Sequence, residues 1–150
     1  MLFRSSVGPL RAAFIAHFAP LVRDVVLAGA DRDEVTALIF PDLDACRKIA
    51  ARLPADAPAR LLLADRSVLK AFARLINTFA AASTGTSSRV TRAVLLAEPP
   101  SLDIGEMTDK GSINQRAVLA HRAAIVEELY ATAPPPYVIV AGAKQTAEAG

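Results

Sequence analysis

The segment Glu106-Met107-Thr108-Asp109-Lys110-Gly111-Ser112-Ile113-Asn114-Gln115-Arg116 gathers charges, hydroxyls and a glycine immediately before an amphipathic run. Backbone amides at a helix start attract anions, and a lysine beside them adds a mobile positive charge. The types and spacing therefore suit contact with a phosphate or a carboxylate. On residue types alone the plainer account, a capped helix start after a solvated loop, stands beside it. In that account Ser112 is the N-cap and Gln115, three residues on, completes a capping box.

Other chemistry-bearing residues point away from catalysis. His17 and His121 have no acid or nucleophile nearby in sequence, so neither suggests a triad. The lone Cys46 falls on an apolar helix face and reads as a small core residue. It cannot form an internal disulfide, and with two histidines it cannot complete a zinc site without carboxylates, so no metal site and a reducing, cytoplasmic setting are expected. Ser83 to Ser88 is rich in small polar residues but lacks the Gly-Lys-Ser/Thr ending of a phosphate loop, and it reads as a linker.

The elements that must position the segment follow from periodicity. Pro9 to Ala19 repeats apolar residues at helical spacing, with Pro9 in the first turn and Pro20 as the stop. Val25 to Gly29 and Val35 to Phe40 are strand-like and flank Asp31-Arg32-Asp33, which suggests a hairpin with one face under helices. Asp42 caps a helix to about Leu53, Pro54 to Pro58 is a loop, and Asp65 caps a helix whose stripe is Val68, Leu69, Phe72, Leu75, Ile76 and Phe79. Val90 to Ala97 is a third strand, stopped by Pro99-Pro100. Ile113 to Ala131 is predicted as one helix; Val138 to Val140 offers an edge strand, within a stretch that otherwise leaves the domain from Pro134.

The expected fold class is α+β: a small twisted β-sheet of about three strands with helices packed on it. Residues 1–133 form the domain and 134–150 an extended tail. At 150 residues and 53% hydrophobic content the chain can close its own core. Charged residues and prolines interrupt every apolar stretch before the ~18–20 residues of a membrane helix, and nothing at the N-terminus reads as an export signal. Seventeen cations against fifteen anions, unclustered and without Trp, give no nucleic-acid footprint.

The run Glu106 to Leu119, EMTDKGSINQRAVL, with Arg122 to Tyr130, resembles the C-terminal end of feruloyl-CoA synthases and related AMP-forming acyl-CoA synthetases. Val7 to Arg11 and Ala19 to Val26 are similar to the beginning of that family's small C-terminal lid domain, so the resemblance covers about residues 4 to 131. It implies a ligase that joins an aromatic carboxylic acid to the α-phosphate of ATP with Mg2+, releases pyrophosphate, and passes the acyl group to coenzyme A. It also implies a partner, a large N-terminal adenylation domain, on which the lid rotates between the two steps.

In the wider superfamily a lysine follows Thr-x-x-Gly and precedes Ile or Val. Here Thr108, Gly111 and Ile113 match, Ser112 holds the lysine position, and Lys110 lies two residues earlier. The resemblance thus implies Lys110 as the catalytic cation, with Thr108, Gly111 and Ser112 around it. Gly8 and Arg11 resemble the tail of the motif lining the pantetheine passage, although a helix-initiating Gly-Pro explains Gly8 equally well. The expected chain is inactive alone; a non-catalytic interaction module that kept the lid fold is the competing class.

Overall fold

A computed structural model describes residues 2–29, 34–83 and 89–142, the side chains of 2–6 excepted. The elements in chain order are α1 (Leu2–Phe18), β1 (Val22–Ala28), β2 (Val35–Pro41), α2 (Leu43–Ile49), α3 (Ala59–Ala64), α4 (Arg66–Ala82), β3 (Val90–Leu95), α5 (Gln115–His121), α6 (Ala123–Leu129) and β4 (Ile139–Val140). One sheet has the order β1-β2-β3-β4. β1 and β2 pair antiparallel with Val26 opposite Leu38; β2 and β3 are parallel with Leu38 opposite Val94; β3 and β4 are antiparallel with Ala93 opposite Ile139.

Strand alternation sorts the side chains into two cores. Val25, Leu27, Ala37, Ile39 and Ala93 face α1 to α4, against Phe14, Phe18, Cys46, Leu62, Phe72 and Ile76. Val26, Ala28, Leu38, Phe40 and Val94 face α5 and α6, against Val118 and Leu129. The expectation of one covered face is therefore corrected. Every β2 residue is buried, because helices cover both sides of a central strand that reads as a continuous apolar run.

The fold is the expected α+β class, with several revisions to its parts. The sheet has four strands where about three were expected: the edge strand offered at Val138 to Val140 forms as β4 and pairs with β3, with Val138 and Ile139 buried, so the chain beyond Pro134 returns to the sheet. α1 starts at Leu2 and carries Pro9 inside, where the missing N–H removes one intrahelical hydrogen bond. α2 ends at Ile49, and α3, too short to show a full apolar period, was not anticipated. Asp42 and Asp65 do cap α2 and α4, accepting from Ala45 N–H and from the Ser67 and Val68 N–H groups. The turn 30–33, the linker Thr84 to Ser88 and the tail from Ala143 lie outside the described residues.

The predicted helix over 113–131 is two helices, broken at Arg122 (φ −111°, ψ 32°). Its N-cap is Asn114, whose side chain accepts from Ala117 N–H, and not Ser112. Gln115 makes no capping box, because its amide reaches across to β1. Arg92 of β3 serves the end of α6, its Nη1 donating to the Leu129 and Ala131 carbonyls at 2.9 and 2.7 Å.

Candidate functional site

Residues 107–113 form a narrow hairpin. Met107 pairs with Ile113 in an antiparallel bridge. The Thr108 N–H donates to the Ser112 carbonyl at 2.8 Å, and the Ser112 N–H donates to Thr108 Oγ1 at 3.1 Å. The Gly111 N–H closes the turn on the Thr108 carbonyl at 2.9 Å, with Gly111 at φ +85°, a conformation that side chains with a Cβ rarely adopt. Lys110 and Asp109 stand exposed at the tip. The Lys110 ammonium has no partner among the described residues. The structure thus brings Thr108, Lys110, Gly111 and Ser112 together, and it shows Ser112 as a rung of the hairpin.

The base of the hairpin is held by a buried carboxylate. Arg122 Nε donates to Glu106 Oε2 at 2.9 Å and Nη2 to Oε1 at 2.8 Å, a two-pronged pair. The Ser101 N–H donates to the same Oε1 at 3.1 Å. Glu106 is only 1% exposed. The Arg122 hydrogen bonds hold its carboxyl below the usual value against the opposing push of burial, with Ser101 adding to the lowering. The Asn114 N–H donates to the Glu106 carbonyl at 2.8 Å, joining the two legs.

Sequence reasoning missed this pair. Both residues lie in the runs that carry the resemblance, but sixteen residues separate them across an irregular loop, and no periodicity connects them. The signal that was available is the acid at the head of the loop and an arginine in the middle of an apolar helix face.

Beside the hairpin lies a groove of about 480 Å³, whose walls include Phe40, Leu43, Leu96, Met107 and Ile113, with Gly111 at its edge. Arg23 and Asp24 line the same groove. Arg11 belongs to this corner indirectly: its Nη2 pairs with Asp24 Oδ1 at 2.5 Å and its Nε donates to the Val25 carbonyl at 3.0 Å. Gly8 is exposed on α1, and beyond its chain neighbours and its own helical backbone nothing lies within 4 Å of where a Cβ would stand.

Among the described residues no group of three or more His, Cys, Asp or Glu side chains is assembled to hold a metal ion, and no helix is long and apolar enough to cross a membrane. The free ammonium at the hairpin tip fits a phosphate or carboxylate oxygen. The donor set does not fit Mg2+.

Comparison with known proteins gives two concordant findings. The fold resembles the A-PCP didomain of a carboxylic acid reductase from Segniliparus rugosus in complex with AMP, with a TM-score of 0.58 at 20% identity over 82% of this chain and 15% of that one. It also resembles the adenylation domain of a carboxylate reductase from Mycobacterium chelonae, with a TM-score of 0.54 at 20% identity over 83% and 17% of the two chains. The chain therefore spans about a sixth of the length of these structures, and at this identity they establish the fold. No curated protein gives a significant match. The sequence profile of the AMP-binding enzyme C-terminal domain matches residues 7–134, most of the chain. The chain belongs to the AMP-binding enzyme C-terminal domain family.

Proposed function

We propose that this chain is the lid of an ATP-dependent, AMP-forming acid–CoA ligase of the feruloyl-CoA synthase kind, acting on a large adenylation domain. The single observation that carries the reading is the braced hairpin whose tip lysine has no partner among the described residues. Lys110 enters the partner's site and places its ammonium against the acid's carboxylate and the α-phosphate as negative charge builds there. Thr108, Gly111 and Ser112 shape the turn that presents it. In this reading ATP and its Mg2+ are held by the large domain. The choice of an aromatic acid and of coenzyme A as acceptor rests on the resemblance of residues 106–130, and so does a role for Gly8 and Arg11 near the pantetheine arm.

The test is reconstitution. Purified chain given ATP and ferulate should release no pyrophosphate, whereas adding a feruloyl-CoA synthase large domain lacking its own lid should restore release and, with coenzyme A, thioester formation. Adenylate formed by the chain alone, or a large domain that gains nothing from it, would refute the reading. The second of those results would favour an interaction module that kept the lid fold.

A further inference from the structure

From Ala97 to Ala117 the chain buries one residue, and that residue is a glutamate. Around it Leu102, Ile104, Thr108, Asp109, Lys110, Gly111 and Ser112 are exposed, and Met107 and Ile113 are half-buried in the groove wall. The loop that carries the candidate lysine therefore has no fully buried apolar anchor. Ile113 rests on the second core and Gln115 bonds to β1 after the hairpin, and at the head of the hairpin the tie to the body is the Glu106–Arg122 pair.

Arg122 is well suited to that task. Four of its five N–H groups are engaged: Nε and Nη2 with Glu106, Nη2 also with the Pro99 carbonyl at 3.0 Å, and Nη1 with the Glu98 carbonyl at 3.0 Å. Its guanidinium carbon sits 5.2 Å from the centroid of the Phe40 ring on β2. One planar group thus joins the central strand, the start of the loop, the base of the hairpin and the break between α5 and α6. The helix break is where this guanidinium departs.

A buried ion pair contributes little net stability compared with a well-packed apolar pair, because both charges must leave water. It does impose direction, since a fork-on-carboxylate contact accepts a narrow range of geometries. Lys110 lies four positions beyond Glu106, so the tip stands at most about 13 Å from the anchor at strand rise. On such a lever a tilt of about 5° at the base moves the tip by about 1 Å, and a displacement of that size can cost about a hundredfold in rate.

We infer that Glu106 and Arg122 are positioning residues that aim the Lys110 hairpin, an inference that rests on the lid reading given above. They touch neither substrate nor reacting atoms; they set where the ammonium stands.

The experiment uses Glu106→Gln, which keeps size and removes charge, and Arg122→Lys, which keeps charge and removes the fork, so that one remains informative if the other does not fold. In the chain, hydrogen exchange is followed at the Thr108, Gly111 and Ser112 amides and at β2 amides. In the ligase with its large domain, adenylation and thioesterification of preformed adenylate are timed separately. The expected result is hairpin exchange faster by about tenfold with β2 unchanged. Adenylation kcat should fall about tenfold or more, with the KM values and the thioesterification rate held within about twofold. Unchanged hairpin exchange in both variants, or an equal loss in both half-reactions, would overturn the inference. If hairpin exchange rises while Lys110→Ala leaves adenylation intact, the anchoring stands and the lid reading falls.

Discussion

The Gln115 side chain closes the open edge of β1 at Val25. Its Nε2 donates to the Val25 carbonyl at 3.3 Å, while its Oε1 accepts from the Leu27 N–H at 3.4 Å, so one amide substitutes for a neighbouring strand. Arg11 donates to the same carbonyl from the opposite helical layer, and Asp24 Oδ1 accepts from the Val25 N–H at 2.8 Å. An edge strand would otherwise present unpaired backbone groups to other chains.

Replacing Gln115 with Ala should lower folding stability by about 1 kcal/mol, the usual net worth of such bonds. Urea denaturation should show an earlier midpoint with an unchanged slope. An unmoved midpoint would mean that water serves the edge equally well.

The core beneath α1 is aromatic. Phe14 and Phe18 stack at 4.0 Å, Phe14 meets Phe79 edge-on at 5.3 Å, and Phe14, Phe18 and Phe72 are fully buried. Phe18→Ala should cost about 3–5 kcal/mol through lost burial and the cavity left behind. The exposed Leu102→Ala should stay within about 0.5 kcal/mol. Thermal melts of the two variants side by side check the contrast.

Cys46 is buried, and burial together with nearby Asp42 pushes its thiol up to about 11. At pH 8 only about one thiol in a thousand is ionised, and the thiolate is the reactive form. A colorimetric disulfide reagent should find no reactive thiol in the native protein and one after denaturation. Rapid labelling of the folded chain would contradict this.

Glu106 makes stability depend on acid. Because its folded carboxyl titrates below its ordinary value of 4.5, its contribution is complete above that value and is lost as pH falls through the folded value. Glu106→Gln should therefore flatten the acid side of a stability–pH curve. The comparison is made by denaturation from pH 7 down to the acid transition, and parallel curves for the two proteins would exclude Glu106 as a contributor.

Lys110→Ala in the assembled ligase should slow adenylation by about 10²–10³, the usual scale for one electrostatic contact made in the transition state. Thioesterification of preformed adenylate should change little. Equal loss in both steps would remove Lys110 from the role assigned to it.

Much of the frame was legible in the sequence because the determining interactions are local. The β-branched and apolar runs Val25 to Gly29 and Val35 to Phe40 mark strands, and the stripe from Val68 to Phe79 marks α4. Asp42 and Asp65 mark helix starts because a cap acts over three residues. The family resemblance was carried by contiguous residues in the same way. Where contacts are distant, local rules misled: Ser112 and Gln115 have capping-box spacing, yet Gln115 bonds to a strand ninety residues away.

The sequence by itself determined an α+β chain with Lys110 in a polar loop ahead of a helix, since residue type and short-range spacing suffice for both. Only the tertiary structure decided that both sheet faces are covered, that the helix breaks at Arg122, and that Lys110 rides a hairpin anchored by a buried glutamate. Those outcomes depend on which groups must find partners once water is excluded, and the Glu106 carboxylate finds its own sixteen residues away.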